Sequence, residues 1–229
     1  MRLRKIAARV YEPSNASYCT RWFCILKKDK KALRIIHGLE LLDKIMIRHS
    51  GVPPIPEYLV EQFEGRSCGA TLDLYMGYDK QLIAESLRDL TTFQTSLGAL
   101  HLVTLPMGWM GSISIFHDNV TYILQEEVLH WMIPYIDNVP VKGPMTRYMQ
   151  VDGMYKTIPE NLGIRRFMWK HFQTLNRIVQ WIKYGGGIFL GHKLQLCMEK
   201  LWVIGHCCTF EGRIPDETCV SVIMHWWQC

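Results

Sequence analysis

Two acids set in apolar runs are the residues of this chain best placed to do chemistry. Trp131–Val139 reads WMIPYIDNV, where apolar and β-forming residues run into Asp137 and then into turn-forming Asn138. That order predicts a buried strand with one carboxylate at its tip. An ionised carboxylate there is costly without a partner, and a divalent cation is a fitting one. An ordinary β-hairpin tip also accounts for an Asp-Asn pair. Thr71-Leu72-Asp73-Leu74-Tyr75 is a second apolar run interrupted by a single acid. Two strands that each present one carboxylate could hold a metal pair for phosphoryl chemistry.

The neighbouring elements must position those acids. Arg21–Lys28 and Leu33–His37 read as strands of a hairpin with a basic tip. Pro53, Pro54 and Pro56 make a stiff connector before a helix over Glu57–Phe63, closed by Gly65. Leu90–Thr95 alternates around Phe93 and predicts a strand, and Ser112 is placed to N-cap a helix through Ile115, Phe116, Val120 and Ile123. Pro140–Gly163, rich in turn residues, reads as an irregular insertion or long hairpin. Arg165–Lys183 predicts a helix with an apolar stripe of Met168, Phe172, Leu175, Val179 and Ile182, ended by Gly185-Gly186-Gly187. Leu194–Cys197 and Leu201–Ile204 complete the set as short strands.

Composition narrows the class. The 229 residues are 48% hydrophobic, which suits one globular domain, of one lobe or two, rather than a disordered chain. The longest run without Lys, Arg, Asp or Glu, Leu90–His117, is interrupted by Thr, Gln, Ser, Gly and Pro, so no membrane span is expected. Met-Arg-Leu-Arg-Lys opens the chain with no apolar segment behind it, so an intracellular protein of cytoplasm or nucleus is expected, with no secretion. The eight cysteines form no C-x-x-C pair, and reduced thiols are the expectation. Met1–Arg34 carries ten basic residues against two acids, and Asn161–Met198 carries six and no acid. Between them, Ile35–Glu160 has eight basic and fifteen acidic residues. Two basic arms around an acidic middle suit a protein that grips a polyanion around a metal centre, and equally a solvated basic surface.

Taken in order, the Asp73 strand, the LPMGWMGS loop and YIDNV resemble the reverse transcriptase domain of gypsy-type LTR retrotransposons and retroviruses. The likeness runs over about residues 10–215, leaving 216–229 as a tail without an assigned role. Arg21–Arg34 is similar to the fingers hairpin, and Leu72-Asp73-Leu74-x-x-Gly77-Tyr78 to the first palm motif. Thr91-x-Phe93-x-Thr95-x-x-Gly98 follows at the family distance. Leu105-Pro106-x-Gly108-Trp109-x-Gly111-Ser112 resembles the template-grip loop, and Lys193 with Ile204-Gly205-His206 the last palm motif and primer grip.

The resemblance implies an α+β fold, the fingers and palm of a right-hand polymerase, with an antiparallel palm sheet backed by helices. Fingers would span about 10–70 and 85–105, and palm about 71–84 and 106–215. It implies an RNA-directed DNA polymerase that takes an RNA or DNA template, a primer, dNTPs and two Mg²⁺ (or Mn²⁺) ions. Asp73, Asp137 and the Leu74 carbonyl would be metal ligands, and Lys27 or Lys28 with Arg34 would neutralise the triphosphate. Tyr78 would be the steric gate against a ribose 2′-hydroxyl, and Met107 and Gly108 would border the nucleotide. Trp109 and Gly111 would meet the template, and Gly205 and His206 the primer end.

Departures from the family pattern accompany these matches. Asn138 stands where the YxDD motif has its second acid, keeping an acceptor oxygen but losing a charge, so weakened activity is expected. Glu40 replaces an Arg, Met107 a Gln and Ile113 a Pro, the pattern of a partly degenerate copy. The alternative is a catalytically inactive nucleic-acid-binding remnant held to phosphates by its basic arms.

Overall fold

β-forming residues at alternating positions in RWFCIL and LRIIHG pair Arg21–Leu26 with Leu33–Gly38, from Arg21 opposite Gly38 to Leu26 opposite Leu33. The structure is a computed structural model that describes residues 2–26, 33–47, 53–75, 77–215 and 217–226. The expected basic hairpin tip, Lys27 and Lys28 included, lies outside the described residues. The chain divides into two units, Met1–Val52 with Met76–Asn119, and Pro53–Tyr75 with Val120–Cys229. Every pair of named strands in either unit is antiparallel.

The first unit has a second sheet, in which Gly98–Leu102 lies between Tyr11–Pro13 and Phe93–Thr95. Its core gathers Val10, Tyr11, Phe93, Leu100 and Leu102. His37 is buried against it, edge-on to Tyr11 and Phe93, and burial lowers its pKa to about 4, with Lys5 nearby adding repulsion. The strand expected over Leu90–Thr95 is shorter, because Asp89–Thr91 coils into a 3₁₀ turn whose Thr91 hydroxyl donates to the Arg88 carbonyl at 2.6 Å. The helix predicted after Ser112 starts earlier, at Met110, and runs to Ile123. Ser112 therefore caps nothing: its buried hydroxyl donates to the Pro106 carbonyl at 2.6 Å and ties the preceding loop to the first turn.

The second unit is organised around a three-stranded sheet with Gly69–Asp73 in the middle, flanked by Gln195–Met198 and Asn138–Lys142. Gly69 lets Leu201 pack closely there, since a Cβ would sit 2.7 Å from a Leu201 methyl. Leu201–Val203 pairs with His206–Cys208, and the core joins Leu201, Val203 and Cys208 to Leu59, Val60, Phe63 and Ile133. The helix Pro56–Glu61 supplies Leu59 and Val60, with Pro56 at its start where a missing N–H costs nothing.

The long helix spans Arg166–Tyr184 and buries Phe167, His171, Thr174, Leu175, Ile178 and Ile182. Leu175, Ile178 and Ile182 each contribute about 1.5–3 kcal/mol by leaving water. Its buried face is rotated from the predicted stripe: Leu175 and Ile182 face inward, but Phe172 and Val179 are exposed. Pro140–Gly163 resolves into strand to Lys142, irregular chain, and the small hairpin of Thr157–Ile158 with Asn161–Arg165. Among the described residues, no helix is long and apolar enough to cross a membrane.

Candidate active site

The two acid-bearing runs come together at one edge of the second unit's sheet. Asp73 ends its strand directly opposite Asn138, and the Leu74 N–H donates to the Asp137 carbonyl at 2.9 Å. Residues opposed in an antiparallel pair carry their Cβ atoms about 4.5–5.5 Å apart on one face. Asp73 and Asn138 thus share a face, with Asp137 next in chain.

The strand predicted to run into Asp137 instead runs out of Asn138. Tyr135 and Asn138 exchange both backbone hydrogen bonds, at 2.8 and 3.0 Å, so Ile136-Asp137 is a two-residue hairpin loop. The apolar residues before it, Met132 and Ile133, are buried without forming a strand, and Pro134 offers no N–H for a ladder. Ile136 holds φ at +58°, which costs a β-branched residue roughly 1–3 kcal/mol. A glycine would relieve that strain, so the surrounding hydrogen bonds hold Ile136 where it is.

Electrostatically the edge is partly answered. Lys193 Nζ lies 2.8 Å from Asp73 Oδ2, and the Leu190 N–H donates to the Asp73 carbonyl at 2.9 Å. Asn138 Oδ1 is buried with no hydrogen-bond partner among the described residues, an orphaned acceptor on the residue opposite Asp73. Carboxylates, an amide oxygen and the Leu74 carbonyl are all hard oxygen donors, so the residues present fit Mg²⁺ or Mn²⁺. Among the described residues no three His, Cys, Asp or Glu side chains cluster, so such an ion would keep waters or take phosphate oxygens from a ligand.

Gly205 and His206 belong to the same unit, at the tip of the Leu201–Cys208 hairpin, where Ile204 and Gly205 both have positive φ, +47° and +79°. The remaining sequence-predicted residues lie in the first unit. Arg34 is exposed on its strand. Tyr78 stacks on Phe116 at 4.8 Å, and Gly77 beside it leaves no room for a Cβ against that ring. The Met107 carbonyl accepts from His37 N–H at 3.3 Å, and Gly108, at φ +111°, abuts the His37 carbonyl so closely that only glycine fits. A Cβ on Gly111 would likewise press on the Trp109 ring, at 2.5 Å.

No family model matches the chain. It is 23% identical over 227 residues to the retrovirus-related Pol polyprotein from transposon 412 of Drosophila melanogaster, covering 96% of this chain and 16% of the relative. The chain therefore spans about a sixth of that polyprotein's length. Among solved structures it is similar to the foamy viral protease-reverse transcriptase in complex with double-stranded DNA, with a TM-score of 0.80 at 16% identity, over 98% of this chain and 35% of that one. The same protein with an RNA/DNA hybrid gives a TM-score of 0.77 at 15% identity, over 98% and 27%. The fold is reverse-transcriptase-like.

Within that fold, the Lys193–Asp73 ion pair joins residues of two motifs 120 positions apart, a contact that the local sequence pattern does not indicate. The segment Ile188–Leu190, bonded alongside Asp73, Leu74 and Tyr75, carries no signal in the sequence, since it lies over a hundred residues away and holds no acid or base.

Proposed function

We propose that the chain is the reverse transcriptase domain of a retrotransposon, an RNA-directed DNA polymerase weakened by Asn138. The observation that carries this reading is the pairing of Asp73 with Asn138 beside the strained Ile136-Asp137 loop. The reverse-transcriptase-like fold supports it, as do the nucleic acids bound by the similar foamy viral structures. In this reading the fingers span about 10–70 and 85–105 and the palm about 71–84 and 106–215. The Asp-containing loop would be the gypsy-type counterpart of YxDD.

Asp73, Asp137 and the Leu74 carbonyl would hold two Mg²⁺ ions, which supply charge stabilisation for an in-line displacement at a dNTP. Lys193, 2.8 Å from Asp73 Oδ2, would hold that carboxylate in place until a cation takes it over. The Asn138 amide offers an oxygen but no charge, which lowers the pull on a cation at this edge. Tyr78, its ring fixed by Phe116, would exclude a ribose 2′-hydroxyl, and Arg34 with Lys27 or Lys28 would receive the triphosphate. Gly205 and His206 would hold the primer end, while Met107, Gly108, Trp109 and Gly111 would border nucleotide and template.

A second reading is a catalytically inactive nucleic-acid-binding remnant, favoured by the ammonium already on Asp73 and by the missing charge at Asn138. Primer extension on an RNA template, with Mg²⁺ and separately Mn²⁺, separates the two. Incorporation that Asp73→Asn abolishes supports the polymerase. Salt-sensitive nucleic-acid binding with no incorporation supports the remnant.

A further inference from the structure

The strand that begins at Asn138 ends at Lys142, roughly 13 Å away at strand rise. Around that far end lies a cavity of about 720 Å³, lined by Arg66, Lys142, Lys170 and Arg177 together with Trp131 and Tyr148 and, among the described residues, by no acid. Arg66 follows the helix Pro56–Glu61, while Lys170 and Arg177, two turns apart, share one face of the long helix.

Arg177 is answered, since it donates from two guanidinium nitrogens to the Glu127 carboxylate at 2.8 and 3.1 Å. The other three cations have only neutral partners among the described residues. Lys142 Nζ donates to the Leu129 carbonyl at 2.6 Å and to Gln62 Oε1 at 3.3 Å. Arg66 Nε donates to the Gln62 carbonyl at 3.3 Å, and Lys170 Nζ to the Tyr148 hydroxyl at 3.1 Å. Lys142 is only 2% exposed. Burial, and then repulsion from Arg66, lower its pKa to about 8, and burial lowers Arg66 as well. A buried ammonium among neutral acceptors is costly, and a bound anion supplies the missing charge.

We propose that this cavity binds a phosphorylated ligand of nucleotide size, with Arg66, Lys142 and Lys170 on its phosphates. Three cations lining one cavity exceed what one carboxylate would satisfy, and a diphosphate or triphosphate matches them. The volume is that of a small-molecule site, and its aromatic lining holds the cations in place, with Lys170 4.9 Å over the Tyr148 ring and Arg177 5.9 Å over Trp131. This site is separate from the Asp73 edge and does not rest on the polymerase reading.

The test is calorimetric titration of the full chain with ADP and with inorganic tripolyphosphate, in EDTA at pH 7. One saturable site tighter than about 100 µM is expected. Arg66→Gln and Lys170→Gln, both short of the buried core, should each weaken it about tenfold, and Lys142→Met more, with its thermal transition checked for folding. Asp73→Asn should bind the probes like the parent, and Lys170→Gln should leave primer extension unchanged. No saturation below millimolar concentration would overturn the proposal. So would unchanged binding in an Arg66→Gln, Lys170→Gln double variant, or loss in Arg34→Gln instead. A 5′-phosphorylated DNA oligonucleotide that binds no better than its unphosphorylated twin, yet displaces ADP, would also overturn it by making the ligand a strand backbone. Equal displacement of ADP by polyglutamate would overturn the phosphate assignment.

Discussion

One five-residue strand, Asn138–Lys142, separates two opposite electrostatic solutions. At the Asn138 end, Asp73 faces an exposed ammonium from Lys193, and the acidic loop stands at the sheet edge. At the Lys142 end a cation is enclosed with only neutral acceptors among the described residues, and Glu127 is held by Arg177. The acid end is answered by a partner that a cation can displace. The basic end is left unanswered, at a cost that only a ligand or deprotonation removes. Sites meant to exchange a charged ligand carry this kind of imbalance, whereas structural ion pairs such as Arg177–Glu127 are closed.

Breaking the acid end should have the largest effect. Asp73→Asn is expected to cut incorporation at least about 100-fold in a primer-extension assay, with stability changed little because the side chain is part-exposed.

At the basic end His171, 1% exposed, packs near the Lys142 backbone, and burial lowers its pKa to about 4. The unfolded histidine binds its proton near 6.5, so between pH 6.5 and 4 the unfolded chain binds more protons and stability falls on acidification. The loss amounts to about 3 kcal/mol at most. His37, lowered likewise to about 4, supplies a similar share of that limb, so His171→Phe should cut its slope by about half in urea unfolding at pH 7, 5.5 and 4.5, and an unchanged slope would count against it.

Lys142→Met sharpens the contrast further. It should stabilise the ligand-free chain by about 1–2 kcal/mol at pH 7, because an uncompensated buried cation is replaced by an apolar chain of similar length. The folded pKa of about 8 lies below the unfolded 10.5, so the lysine's penalty is full below pH 8 and fades as pH rises toward 10.5. The gap between variant and parent should shrink over that window. The smallest effect belongs to Lys193→Gln, whose exposed pair contributes under about 1 kcal/mol to stability. It should instead lower the Mg²⁺ concentration for half-maximal incorporation a few fold.

Much of the acid end was legible in sequence, and little of the basic end. Asp73 and Asp137 stood out because lone acids in apolar runs are rare and local. The strand expected before Asp137 lies after it, since buried irregular chain such as Met132 and Ile133 is as apolar as a strand. The long helix was found, but its inward face was misjudged because His171 and Thr174 are buried while Phe172 and Val179 are not. Lys142 gave no signal: a lysine before Gly143 reads as surface, and only the packing of Gln62 and Leu129 around it encloses the charge. Contacts such as Lys193 with Asp73, 120 residues apart, come from topology rather than from local pattern.

The measurement that tests the central claim most directly is single-nucleotide incorporation on an RNA template by the Asn138→Asp variant beside the parent, in Mg²⁺. Restoring the charge opposite Asp73 should raise the rate at least about tenfold, with Asp73→Asn silencing both backgrounds. A revertant no faster than the parent, in a chain whose residual signal also survives Asp73→Asn, would contradict the assignment of this edge as the catalytic site.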